Sequence, residues 1–169
     1  MAELEAEIAR LIRDYQAKTG KLLTIGAVES ATGGRIADRI TNVAGSSDYF
    51  KGSLVAYSNE VKIALLGVKK ATIENYGAVS EQTALEMARG GRKLLDVDVC
   101  VSDTGIAGPS GGTPEKPVGL FYLGLAARDA SLSQKHIFSE NREGNKRDAA
   151  EAALSMLKQY LLRCVKATG

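Results

Sequence analysis

Apolar residues at Leu4, Ile8, Leu11 and Ile12 recur at helical spacing, which predicts an amphipathic helix over residues 3–18 that Thr19-Gly20 ends. Residues 22–28 form an apolar run with no polar alternation, the mark of a short strand buried on both faces. The run stops at a tight glycine turn, residues 30–34, and helical spacing resumes over 35–40. A second strand is predicted over 53–57, then a helix over 60–66 that Gly67 stops. Ser80 followed by Glu81, Gln82 and Thr83 reads as an N-cap with carboxylate support, opening a helix to about residue 95. A third strand follows over 97–102. Two more, over 118–127 and 132–138, flank a turn at 128–131, and a long helix over 145–165 closes the chain. Strands and helices alternate until the final hairpin. The predicted fold is α/β: a three-layer α/β/α arrangement with a mixed, mainly parallel sheet, read as one domain over residues 1–169.

Composition narrows the functional classes. Hydrophobic content of 44% and charged content of 25% are ordinary for a globular chain. A net charge of +2 without a basic stripe argues against nucleic acid as a partner. The one local basic cluster, Arg142, Lys146 and Arg147, is mixed with acids and better suits a small anion. The two cysteines are far apart and read as reduced thiols. The acidic, amphipathic start is unlike a signal peptide, and no apolar run approaches the ~20 residues that span a bilayer. The chain therefore reads as cytoplasmic, without a membrane partner; self-association stays open.

Three segments carry candidate chemistry. Glu29-Ser30-Ala31-Thr32-Gly33-Gly34 follows the first strand, where α/β proteins bind ligands and a helix start offers free N–H groups. Ser30 is a nucleophile on this turn, or Ser30 and Thr32 are only helix caps; local sequence leaves both open. Tyr57-Ser58-Asn59-Glu60-Val61-Lys62 follows the second strand. A serine needs a base, and the single histidine, His136, sits on a predicted edge strand with nothing to mark it as catalytic. A lysine serves if desolvation populates its neutral amine, and Lys62 near a helix start is the candidate, against a solvated surface lysine. The third segment, Asp103 to Gly119, holds five glycines and three prolines. It begins beside the first turn if the strands are parallel neighbours, and it could supply the Thr104 hydroxyl and backbone donors near Gly105. It lacks the Gly-Lys-Ser/Thr of a phosphate-binding loop. Acidic residues show no metal-ligand spacing, so neither metal nor other cofactor is expected.

Together with Gly45-Ser46-Ser47, Leu66-Gly67-Val68, Gly77-Ala78-Val79-Ser80 and Glu115-Lys116-Pro117-Val118-Gly119, these segments resemble the CinA C-terminal-domain family over roughly residues 20–160. That family includes bacterial nicotinamide-mononucleotide deamidases. The resemblance implies hydrolysis of nicotinamide mononucleotide to nicotinate mononucleotide and ammonia, with Ser30 as nucleophile, Lys62 as base and Thr104 as a proton relay. Thr32, Gly33, Gly34, Ser46, Tyr57, Gly105 and Arg142 would then contact this small-molecule nucleotide substrate. Within that set, N–H groups around Thr32 to Gly34 or near Gly105 would hold the oxyanion, Tyr57 would face the pyridine ring, and Arg142 would face the phosphate. Three positions depart from the family's usual pattern: Ala31 stands where cysteine is usual, Asp103 where small or hydroxyl residues are, and Phe138 to Asn141 where Gly-Asp precedes the arginine. Alternatives are a module of the same fold that binds nucleotide without turnover, a serine amidase for another small amide, and a partner-binding protein.

Overall fold

The computed structural model describes residues 3–169. The expectations that touch residues 1 and 2, the start of the chain and of the domain, lie outside the described residues. Five strands form one sheet: β1 (Ile25–Glu29), β2 (Phe50–Val55), β3 (Val99–Gly105), β4 (Leu120–Ala127) and β5 (Ser131–Ile137). Their order is β2-β1-β3-β4-β5. β1 pairs parallel with β2 and β3, whereas β4 pairs antiparallel with β3 and with β5. Four strands thus share one direction and β4 alone opposes it, as a mixed, mainly parallel sheet requires.

Six helices cover the sheet: α1 (Leu4–Thr19), α2 (Arg35–Thr41), α3 (Asn59–Leu66), α4 (Lys70–Tyr76), α5 (Glu81–Leu95) and α6 (Arg142–Ala167). Strand alternation assigns the two faces. Ile25, Ala27, Val99 and Val101 point to the layer of α1, α2 and α6, where they pack with Ile8, Ile12, Ile36, Leu154 and Leu157. Val28 and Cys100 point the other way, toward Met87 of α5 and Leu66 of α3. No helix among the described residues is long and apolar enough to cross a membrane.

The punctuation residues act as their chemistry dictates. Gly20 and Gly67 adopt left-handed conformations at the ends of α1 and α3, and the Ser80 hydroxyl accepts the Thr83 N–H at the start of α5. Most strand boundaries shift by two or three residues from the periodic reading, and three departures have a visible cause. β2 begins at Phe50, because its pairing with Ile25 extends through Lys51 and Gly52, which carry no apolar alternation. α4 has no amphipathic signature and was not anticipated; a bond from the Lys69 N–H to Glu86 and one from the Thr72 hydroxyl to the same carboxylate tie it to α5. α6 starts three residues earlier than its apolar stripe, because Asn141 caps it through the Gly144 N–H.

Close approach of α5 to the sheet depends on absent side chains. A Cβ at Gly124 of β4 would stand 2.4 Å from the Ala84 carbonyl oxygen and 2.5 Å from Ser102 Oγ. We expect Gly124→Ala to lower the unfolding free energy in urea by about 1–3 kcal/mol, the usual cost of overpacking a tight interface.

Candidate active site

β1, β2 and β3 run parallel, so the segments that follow them leave the same edge of the sheet. β2 and β3 flank β1 on opposite sides, which makes this edge the switch point where α/β folds open a crevice. The Ser30 turn leaves β1 there, residues 56–62 leave β2, and Thr104 and Gly105 end β3. A cavity of about 280 Å³ opens between them, lined by Ser30, Tyr57, Lys62, Thr104, Gly105 and Arg142 among others.

Lys62 is the decisive side chain. It is only 2% exposed, which excludes the solvated-surface reading. Its Nζ lies 2.9 Å from Ser30 Oγ, 2.9 Å from the Ala56 carbonyl oxygen and 3.2 Å from that of Tyr57. Burial pushes the ammonium below its ordinary range, and the charge of Asp103 opposes the shift. A neutral amine suits the geometry: its two N–H groups serve the two carbonyls and its lone pair faces the Ser30 hydroxyl. Thr104 lines the cavity and its Oγ1 donates to the Ala78 carbonyl at 2.8 Å.

At the mouth, Arg142 donates to the Gly108 carbonyl at 2.7 Å and to the Tyr57 hydroxyl at 3.1 Å. Tyr57 is 62% exposed and so is not a core tyrosine. Asn145 of α6, fully buried, donates to the Ala107 carbonyl and accepts the Glu140 N–H, pinning the glycine-rich loop to the start of α6. His136 sits on β5 stacked against Phe138 and does not line the cavity.

Four sequence-based assignments to the site are corrected. Ser46 lies in a short 3-10 turn before β2, hence at the opposite end of the sheet from Ser30. Thr32 is wholly buried, and its hydroxyl lies between Glu29 and Asp103 instead of facing the cavity. Gly33 and Gly34 are also turned inward. The Gly33 N–H is given to the Ser30 carbonyl and the Gly34 N–H to Glu29 Oε2, while the Thr32 N–H goes to Asp103 Oδ2. These three donors cannot hold an oxyanion. Ala31 and Ala107 line the cavity, and among the described residues no protein acceptor takes the Ala31 or Ala107 N–H. The Ala31 N–H, on the residue after Ser30, stands at the position an oxyanion donor takes in a nucleophile elbow.

Residue typing alone passed over Glu29. Its carboxylate accepts the N–H groups of Gly34, Ile36 and Ala37 at 2.8, 3.1 and 2.9 Å, and the Ser53 hydroxyl at 3.1 Å. It therefore caps α2 from the end of β1. The available signal was an acid at a strand end six residues before a helical run.

Residues 3–161 match the CinA C-terminal domain, and the chain belongs to that family. It is 48% identical over 162 residues to a CinA-like protein of Kosmotoga olearia, covering 96% of this chain and 38% of that protein. It is 51% identical over 138 residues to a CinA-like protein of Salinibacter ruber, covering 82% of this chain and 34% of that one. The chain thus spans less than two-fifths of the length of these relatives. Among solved structures, the competence/damage inducible protein of Agrobacterium tumefaciens superposes with a TM-score of 0.84 at 38% identity, covering 93% of this chain and 94% of that one. A CinA superfamily protein of Enterobacter cloacae superposes with a TM-score of 0.86 at 28% identity, covering 94% and 90%.

Removing the Glu29 carboxylate tests the scaffold. Glu29→Ala strips an acceptor from three N–H groups, at about 1–3 kcal/mol for each buried unsatisfied donor. Urea unfolding should show a loss of at least about 3 kcal/mol, and Glu29→Gln, which keeps one acceptor oxygen, should lose less.

Proposed function

We propose that this chain hydrolyses the carboxamide of nicotinamide mononucleotide, releasing ammonia and nicotinate mononucleotide. The observation that carries the reading is the buried contact of Lys62 Nζ with Ser30 Oγ at 2.9 Å on the floor of an open cavity. Family membership and the resemblance of the motifs supply the substrate.

In this reading, Lys62 takes the Ser30 proton as the oxygen attacks the carboxamide carbon. The carbonyl π bond opens and its oxygen becomes an oxyanion facing the Ala31 N–H. The carbon–nitrogen bond then breaks, and the leaving amine receives the proton held by Lys62, with the Thr104 hydroxyl as a lone-pair acceptor for the departing N–H. Water next attacks the nicotinoyl ester, giving its proton to Lys62. Collapse of that intermediate frees the acid, and Ser30 recovers the proton. Each step balances within Ser30, Lys62, substrate and water. Arg142 and the start of α6 face the phosphate, and Tyr57 faces the ring.

Ammonia release from nicotinamide mononucleotide is the test. Ser30→Ala and Lys62→Met should each lose at least about 100-fold in kcat while staying folded by circular dichroism. A wild-type protein that is stabilised by the nucleotide yet releases no ammonia overturns the enzyme reading in favour of binding without turnover. Turnover of other small amides in preference to this one overturns the substrate. Arg142→Ala should raise KM by about tenfold with a smaller change in kcat, as expected when a uniform binding contact to phosphate is lost.

A further inference from the structure

Two buried carboxyls lie directly beneath the nucleophile, and the serine–lysine chemistry uses neither. β1 and β3 are in register at Val28 and Ser102, so Glu29 and Asp103 are the next neighbours along the parallel pair. Both are wholly buried, as is Thr32. Thr32 Oγ1 stands 2.8 Å from Glu29 Oε2 and 2.5 Å from Asp103 Oδ1. A hydroxyl has one proton to donate. Between two ionised carboxylates it would satisfy one and face the other lone pair to lone pair, in a site buried away from the bulk solvent that screens such repulsion. One further proton resolves the contact: one carboxyl donates to Thr32, and Thr32 donates to the other.

The surrounding donors decide which carboxyl keeps that proton. Glu29 takes three backbone N–H groups at the start of α2 and the Ser53 hydroxyl, so both of its oxygens already serve as acceptors. Asp103 takes two N–H groups, those of Ser30 and Thr32. The relay therefore runs from Asp103 Oδ1–H to Thr32 Oγ1–H to Glu29 Oε2. The other charged groups approaching this cluster are Lys62 from α3, Arg35 from α2, which is paired with Glu143, and Lys146 from α6, which reaches the turn at Gly33. The buried face of α5 carries none.

Resting on the serine–lysine reading above, we infer that Glu29, Thr32 and Asp103 hold one buried proton on Asp103, so that the next proton the site sheds comes from Lys62. The order matters for the chemistry. Loss from Asp103 would leave Thr32 between two anions and hold Lys62 as an ammonium. Loss from Lys62 leaves its two N–H groups on the Ala56 and Tyr57 carbonyls and its lone pair on Ser30. Burial moves the two titrations toward each other, raising the Asp103 carboxyl to about 6 and lowering the Lys62 ammonium, and the proton held through Thr32 is what reverses their order. Asp103 and Thr32 are positioning residues in this scheme. They fix the Ser30 turn through its N–H groups and set the charge of the base without touching substrate.

The experiment is a ¹³C NMR titration of the full chain labelled at aspartate and lysine, without nucleotide. The Asp103 and Lys62 signals are assigned with Asp103→Asn and Lys62→Met. Asp103 should remain protonated at pH 5, where ordinary aspartates are ionised, and Lys62 should lose its proton at a lower pH than Asp103 does. In Thr32→Val the protonated carboxyl loses its acceptor, so the Asp103 midpoint should fall and that of Lys62 should rise. An Asp103 already ionised at pH 5 in the wild type overturns the inference. So does an Asp103 that ionises while Lys62 keeps its proton, or a Thr32→Val variant in which Asp103 rises. Thr32 acting only as structural filler would leave the order of the two titrations unchanged, which also overturns it. No substrate enters the measurement. Absent ammonia release with the titrations as expected would therefore count against the proposed reaction alone.

Discussion

The carboxylate of Glu29 governs how strand β1 becomes helix α2. A buried strand end must dispose of the N–H groups of the helix that follows, and here one side chain takes three of them at once. That capture bends the chain sharply after Glu29 and leaves Ser30 at the rim of the sheet, with only Ala31 between it and the buried Thr32. The inward turn of Thr32, Gly33 and Gly34 follows from the same bonds. So does the availability of the Ala31 N–H, which the capping pattern leaves facing the cavity side. The glycine-rich signature of the turn serves folding at these positions, and the proposed reaction draws on the two residues before it.

Lysine as a base requires its ordinary charge to be undone. On the proposed reading burial moves Lys62 in that direction, and the geometry accommodates either charge state. The carbonyls of Ala56 and Tyr57, six and five residues before Lys62, offer two acceptors, and the third direction is occupied by a hydroxyl. An ammonium with three acceptors and an amine with two are both satisfied, so the charge state is set by the electrostatics around it. The nearest adjustable charge is Asp103, whose protonation therefore bears on reactivity through space.

Much of this was legible in the chain. The order of elements, the mixed sheet, the glycine stops at Gly20 and Gly67 and the Ser80 cap follow from periodicity and local chemistry. Ser30, Lys62, Thr104, Gly105, Tyr57 and Arg142 do meet at one cavity. The strand–turn–helix pattern placed Ser30 and Lys62 each at a strand end, and parallel pairing brought the ends together. Ser46 went wrong because a motif near a strand reads the same whether it precedes or follows that strand, and only direction tells which rim it joins. Thr32 and Gly34 went wrong because backbone donors look free in a sequence. A single acceptor such as Glu29 commits them, and nothing in residue type announces it. α4 was missed because its anchor is a carboxylate on α5, a tertiary contact with no local pattern.

The two halves of the serine–lysine pair are assembled by different means. Lys62 is held by carbonyls of its own segment, whereas Ser30 meets it only because Glu29 pairs with Val55 and Ala56 gives its N–H to Glu29. A slip of one residue between β1 and β2 would move the two side chains apart by about 3.3 Å and turn their faces over. The nucleophilicity proposed for Ser30 would therefore be a report on strand register. A chain still searching for its fold, or one paired wrongly after stress, carries an ordinary alcohol and an ordinary ammonium and is inert toward every amide around it. On the proposed reading the reactive pair exists only once the sheet is complete.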